Sequence, residues 1–248
     1  MEIITVNESN LDKEHICCAI SSNNDIQVKA KKGWLKERFR DGLVFKKINV
    51  RGKCFIEYLP IENAWVPVEG INLMYIDCLW VSGKFQGHGY AKGLLDSCIK
   101  DSKEKSKDGL VIISSKKKMS FLMDKQFLLK YNFEVVDCID DKYELMFLAF
   151  HDDVKQPEFK IKQLELEKKC FVLYYSHQCP FTAKYAALLN KYCDENGIDM
   201  DIRYIDNKDV AQTSPTIFTT YSLFYDGKFI TNEILSVKKF EKIMEAAK

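Results

Sequence analysis

Apolar and polar positions along this chain recur with the periods of short strands and amphipathic helices, and together they predict a mixed α/β protein. Ile3, Ile4 and Val6 suggest a first strand. Ser9 or Asn10 is placed to cap a helix over 11–20, with Asp12 in its first turn. A second helix is expected over 26–39, ending near Asp41-Gly42. Two β-rich runs, 43–49 and 53–59, join through Val50-Arg51-Gly52 as a hairpin. A loop over 63–70 holds Trp65 and Pro67, and a strand over 71–81 follows it. After a polar turn, Ala91, Leu94, Leu95, Cys98 and Ile99 take the i, i+3, i+4, i+7, i+8 spacing of a helix running to about Lys105. A strand over 110–114 lies between lysine-rich runs. A helix over 121–130 is expected to close at Asn132, and 133–139 to pair with 143–150 across Asp140-Asp141.

The pattern then breaks and restarts. Residues 151–169 are charged and weakly periodic, which suggests a linker between a domain at 1–150 and one at 170–248. In the second stretch, 170–176 reads as a strand, and Pro180 opens a helix that Asn196-Gly197 ends. Strands are expected at 200–205 and at 216–220, the latter opened by Ser214-Pro215. Asp226-Gly227 marks a hairpin, and Val237, Phe240, Ile243, Met244 and Ala247 mark a closing helix.

Composition narrows the class. The 248 residues are 46% hydrophobic and 29% charged with a formal net charge of +1, so no global field suggests nucleic acid or an anionic membrane as partner. The N-terminal residues lack the pattern of a signal peptide, and no apolar run has the length of a membrane span. Nine cysteines are scattered without a CxxC pair, and the four histidines do not join them at zinc spacings. The expectation is a reduced, cytoplasmic protein without a bound metal.

The chemistry concentrates at Gln86-Gly87-His88-Gly89-Tyr90-Ala91. A strand ending in Leu79-Trp80-Val81, a glycine turn and a helix start direct backbone N–H groups at one point, a site suited to a pyrophosphate. Neither a P-loop nor a three-glycine dinucleotide fingerprint is present. The segment Gln-x-x-Gly-x-Ala after this strand end resembles motif A of the GNAT superfamily of acetyltransferases, and the order of elements over 1–150 is similar to that fold. The resemblance implies acetyl transfer from acetyl-CoA to an amine. Gln86, Gly87, His88, Gly89, Tyr90 and Ala91 would then hold the pyrophosphate, and Leu79, Trp80 and Val81 would flank the pantetheine arm. Where the family places a tyrosine acid this chain has Leu128, leaving Tyr131, Tyr90 and Tyr143 as candidates, with Tyr131 the first of them. Glu57 and Asp77 are candidate bases, Asp77 sharing strand parity with Leu79 and Val81.

The second stretch looks like a thioredoxin fold, and the succession of the two modules resembles the YoaP-like acetyltransferases of bacteria. Cys179 stands at a helix start, where its thiol is expected to be acidified, with His177 adding charge. Thr182 occupies the second-cysteine position, and Ser214-Pro215 matches the pair that is cis in that family. Two other functions stay open: a monothiol redox protein using Cys179, and a coenzyme A-binding adaptor. Peptides, polyamines, amino acids and antibiotics stay open as acceptors, and the oligomeric state is open.

Overall fold

The computed structural model describes residues 1–16, 18, 22–119 and 121–246. In the first half the chain runs β1 (Ile3–Val6), α1 (Ile26–Phe39), β2 (Val44–Ile48), β3 (Cys54–Pro60), β4 (Val68–Glu69), β5 (Leu73–Val81), α2 (Tyr90–Glu104), β6 (Gly109–Ser115), α3 (Lys125–Leu129), β7 (Glu134–Ile139) and β8 (Tyr143–Ala149). Seven of these strands form one sheet in the order β1-β2-β3-β5-β6-β8-β7. All neighbours are antiparallel except β5 and β6. Such a parallel pair requires a crossover, and α2 supplies it.

Helix α2 buries Leu94, Leu95 and Cys98 on one sheet face, where α3 adds Leu128. Helix α1 covers the opposite face with Val28, Trp34 and Leu35. The inner side of α1 also carries Lys31 and Lys32, both buried. Each has a partner: Lys31 meets Glu57, and Lys32 donates to the Leu11 carbonyl at 2.5 Å. Satisfied in this way, the two ammonium groups do not break the packing.

The second half runs β9 (Glu158–Phe159), β10 (Phe171–Tyr175), α4 (Pro180–Asn196), β11 (Met200–Tyr204), α5 (Lys208–Gln212), β12 (Tyr221–Tyr225), β13 (Lys228–Thr231) and α6 (Val237–Ala246). Four strands form a sheet in the order β11-β10-β12-β13, with β10 and β11 parallel and the other pairs antiparallel. Helices α4 and α6 cover one face through Leu189, Cys193 and Phe240 against Phe171, Leu173 and Leu223. The other face, with Val172, Tyr174 and Phe224, joins the same apolar cluster as Trp34, Trp65 and Leu35 of the first half.

The two halves therefore share a core. The edge of Trp34 meets the Trp65 ring at 6.0 Å, and the Arg38 guanidinium lies over Trp65 at 4.9 Å. The Gln212 amide donates to the carbonyls of Glu62 at 3.1 Å and Ala64 at 3.0 Å. The buried Thr219 hydroxyl donates to the Trp65 carbonyl.

Several expected elements differ in the structure. No helix forms over 8–14, where the chain makes turns; residues 17 and 19–20 of the expected helix lie outside the described set. The Asn7 and Asn10 side chains explain it. Asn10 Oδ1 accepts from Asn7 N–H at 2.8 Å and Asn7 Oδ1 from Ser9 N–H at 2.9 Å, so local side-chain bonds compete with the helix. Helix α3 begins only at Lys125, because Asp124 caps it by accepting from Gln126 N–H at 2.8 Å.

The 151–169 stretch is anchored rather than loose. Strand β9 pairs with β4, and Phe159 and Leu164 are buried. Residues 216–220 form a turn instead of a strand, because hydroxyls of this segment bind backbone: Thr216 Oγ1 accepts from Phe218 N–H at 3.0 Å. The Ser214–Pro215 bond is not cis.

Thr219→Val keeps the shape of the side chain but leaves the Trp65 carbonyl without its buried donor. We expect a loss of about 1–3 kcal/mol, read as a melting temperature lower by roughly 2–4 °C per kcal/mol for a chain of this size.

Candidate functional site

The glycine loop is built from both ends. At its entry, Ser82 N–H donates to the Lys53 carbonyl at 3.0 Å, which ties the end of β5 to the start of β3. Phe85 then fills the space left by Gly52, whose Cβ would stand 2.0 Å from the Phe85 ring. The Gln86 amide turns back and donates to the Val81 carbonyl at 3.1 Å, and His88 Nδ1 donates to the Gln86 carbonyl at 2.9 Å. Gln86 therefore braces the turn. The His88 ring stacks on Tyr90 at 5.7 Å.

Gly87 and Gly89 have φ of +79° and +73°, left-handed values that glycine adopts without strain, and a Cβ on either would meet nothing within 4 Å. The first bond within α2 runs from Gly93 N–H to the Gly89 carbonyl at 3.0 Å. The amides of Tyr90, Ala91 and Lys92 belong to the first turn, where a helix offers its N–H groups outward. Loop and helix start together form an open cradle that favours an anion.

Beside the cradle the sheet opens. Strand β5 pairs with β3 from Met74 to Val81, but with β6 only at Leu73, Met74 and Tyr75. From Ile76 onward its second edge faces a gap, where backbone groups can pair with an extended ligand arm. Leu79 packs inward under α2, Val81 lies at the edge of that cluster, and Trp80 packs on the α1 side.

A β-bulge sits in this same strand. Glu57 pairs with Cys78 and Tyr58 with Ile76, so Asp77 is the extra residue. Its expected parity with Leu79 and Val81 is thereby broken. Met74 and Ile76 share the α2 side with Leu79, whereas Tyr75, Cys78 and Trp80 share the α1 side, and Asp77 stands beside Glu57 there. The Lys31 ammonium reaches both Glu57 oxygens, at 2.6 and 2.8 Å, and both side chains are almost fully buried, 3% and 1% exposed.

Burial, and then the neighbouring Glu57 charge, push the Asp77 carboxyl up to about 8, while the Lys31 charge opposes them. Asp77 is only half-buried, because it lines a cavity of about 230 Å³. That cavity is bounded by the inner ends of β3, β5 and β6 and, from the second half, by the start of α4 and the 217–221 turn. Glu57, Asp77, Leu79, Trp80 and Cys179 all line it. The arrangement joins an anion cradle, an open strand edge and a carboxyl of raised proton affinity.

The other candidates lie elsewhere or behave differently. Tyr131 is outside the cavity, against Phe127 at 5.1 Å and under the Lys92 ammonium at 5.7 Å, with its phenol pushed up by burial. Tyr143 is buried under Phe218 at 4.8 Å.

The Cys179 thiol is raised rather than acidified. Burial outweighs the Phe181 N–H bond and the Lys31 charge that favour the thiolate. His177 does not supply charge, because burial lowers its pKa and its ring shares a 3.0 Å hydrogen bond with the Tyr204 hydroxyl. Thr182 lies under Cys179, its hydroxyl 2.5 Å from the Ser176 carbonyl and 2.7 Å from that of Cys179. Pro215 is half-buried just ahead of the cavity-lining 217–221 turn. Lys31 was not among the sequence candidates, although it stands in step with Val28, Lys32 and Leu35 on the inner face of α1. Among the described residues no group of three or more His, Cys, Asp or Glu is placed to hold a metal ion, and no helix is long and apolar enough to cross a membrane.

Gly52→Ala pushes the Phe85 ring out from beneath the loop. We expect a cost of roughly 1–3 kcal/mol and faster proteolytic cleavage within 82–90, both measurable on the unliganded protein.

Comparison with known proteins places the chain among relatives. Residues 201–242 match the YoaP-like family. Among solved structures, a GNAT family acetyltransferase from Brucella melitensis in complex with acetyl-CoA is 13% identical, covering 62% of this chain and 91% of its own, with a TM-score of 0.41. The PaiA N-acetyltransferase from Thermoplasma acidophilum in complex with coenzyme A is 16% identical, covering 60% of this chain and 100% of its own, with a TM-score of 0.39. Both likenesses are too distant to carry the assignment. The uncharacterised N-acetyltransferase YoaP of Bacillus subtilis (strain 168) is 41% identical over 244 residues, 97% of each chain, and the protein therefore belongs to the YoaP family.

Proposed function

We propose that this protein is an acetyl-CoA-dependent N-acetyltransferase of the GNAT type that uses Asp77 as proton acceptor. One observation carries the reading: the anion cradle at 86–91, the unpaired edge of β5 and the Asp77 carboxyl follow one another along a single strand and its turn. The N-acetyltransferase relative and the motif resemblance support the same conclusion.

In this reading the amides of Gly87–Ala91 bind the pyrophosphate, and the free edge of β5 at Leu79, Trp80 and Val81 pairs with the pantetheine arm. Bound acetyl-CoA supplies an activated thioester. The amine nitrogen forms a bond to the carbonyl carbon, the carbon–sulfur bond breaks, and sulfur leaves with its electron pair. Asp77, ionised, takes the proton from nitrogen. Lys31 holds Glu57 in place, and burial together with the Glu57 charge raises the Asp77 proton affinity, as acid–base work requires. A thiolate leaves readily near neutral pH, so a fixed acid is not essential, and Tyr131 stays a secondary candidate.

We further propose that residues 170–248 are a thioredoxin-like module joined to a transferase module at 1–150 by 151–169. The strand order β11-β10-β12-β13 with α4 and α6 on one face supports this. A redox role for Cys179 has no comparable support, given its raised thiol and the threonine at the partner position.

Two measurements test the reading. Gly89→Glu places a side chain and a negative charge in the cradle, and calorimetry should show acetyl-CoA affinity falling roughly a hundredfold while circular dichroism is unchanged. If wild type and variant bind equally, the cradle is not the coenzyme site.

The second is the pH profile. Because Asp77 acts when ionised and the amine attacks only when unprotonated, kcat/KM should rise with pH through about 8 and go on rising more gently towards the amine's own pKa of about 10, and Asp77→Asn should lose activity and the break near 8 without losing acetyl-CoA binding. Stability runs the opposite way. The folded carboxyl binds its proton more tightly than the unfolded one, so its contribution is complete below about 4 and is lost as pH rises through about 8. Asp77→Asn should flatten that slope in denaturant titrations.

A further inference from the structure

The cavity at Asp77 is not closed by the first half alone. Phe181 in the first turn of α4, with Ile217 and Phe218 in the turn before β12, lines it from the second half. These groups are held in place. The Gln178 amide donates to Ser176 Oγ at 2.9 Å and to Thr219 Oγ1 at 3.0 Å, and the Thr219 hydroxyl donates to the Trp65 carbonyl. The Lys53 ammonium of the first half lies over the Phe181 ring at 5.5 Å. The second half is thus a wall tied to the first by hydrogen bonds, opposite the carboxyl.

The chemistry of the walls is uneven. Glu57 and Asp77 are the only acidic side chains among the described cavity residues, they are adjacent, and Lys31 already engages Glu57. The cavity therefore offers one free carboxyl, Asp77, to take a proton from an amine, and no carboxylate for a second ammonium. The remaining surface is dominated by aromatic and aliphatic groups, including Phe45, Phe55, Trp65 and Phe218. At about 230 Å³ it is smaller than the ~300–1,000 Å³ of sites that hold drug-sized ligands.

We propose that Phe181, Ile217 and Phe218 complete the acceptor pocket, and that the acceptor is a small primary monoamine with an apolar body. This rests on the acetyltransferase reading above. The amine nitrogen faces Asp77, and the apolar body lies against the wall supplied by the second half. A polyamine would bring a second cation beside Lys31 and Lys53 without a carboxylate to receive it. A peptide terminus would have to fit its first side chains into a space of about 230 Å³ lined by both halves. The C-terminal half is then a specificity element.

The test uses the full-length protein with 2-phenylethylamine, isoamylamine, spermidine and L-lysine, following acetylated amine by chromatography and acetyl-CoA binding by calorimetry. We expect kcat/KM for the two monoamines to exceed that for spermidine and lysine at least roughly tenfold. Phe181→Ala should lower it for 2-phenylethylamine roughly tenfold, and Phe181→Leu should restore most of it, while acetyl-CoA affinity stays within about twofold. Preference for spermidine or lysine overturns the proposal, as does a Phe181→Ala protein with unchanged amine kinetics. A protein that binds acetyl-CoA but acetylates neither monoamine also overturns the acceptor assignment, with the coenzyme site left standing. Failure to bind acetyl-CoA removes the underlying acetyltransferase reading instead.

Discussion

The structure depends on what happens to β5 after Tyr75. Up to that residue the strand has neighbours on both sides; beyond it, β3 remains and β6 diverges. A strand edge inside a protein normally cannot be left open, because its N–H and C=O groups lose water without gaining partners. Here the open edge runs directly into a glycine turn and the start of a 15-residue helix, so the unpaired strand groups and the helix-end amides lie along one continuous path. Helix α2 must also carry the chain across to β6, which lies parallel to β5. Gap and cradle are thus two results of one crossover.

The bulge at Asp77 adds the second constraint. It turns a carboxyl to the side where α1 has already buried an ion pair, and the grouping carries two carboxyls and one ammonium. Breaking a buried pair by removing one partner typically costs about 3–5 kcal/mol, which makes Lys31 and Glu57 a demanding way to fill space. Their effect on Asp77 gives that cost a functional counterpart. Burial and the adjacent Glu57 charge raise the proton affinity of the Asp77 carboxyl well above the usual carboxylate range.

The second half is integral to this arrangement. One face of its sheet belongs to the same apolar cluster as Trp34 and Trp65, and its α4 start and 217–221 turn bound the cavity at Asp77. The same packing explains Cys179. A thiol at a helix N-terminus in water would be acidified, but here burial outweighs that field.

Much of the element order was legible in the chain itself, for local reasons. The helix over 26–39, the hairpin turns at Asp140-Asp141 and Asp226-Gly227, the left-handed Asn132 and the glycine loop before α2 all follow from propensities and φ preferences confined to a few residues. What failed also failed locally: Asn7 and Asn10 diverted an expected helix, and the hydroxyls of 216–219 diverted an expected strand. The sequence by itself determined the strand–turn–helix that forms the anion cradle, because its glycines and helix start act within one short stretch. Only the tertiary structure decided which way Asp77 points, that Lys31 and Glu57 stand beside it, and that the second half walls the cavity. Those facts depend on strand register and on packing between residues distant in the chain, Lys31 and Glu57 at 26 positions and the second-half wall at more than a hundred from Asp77, and no local pattern encodes either.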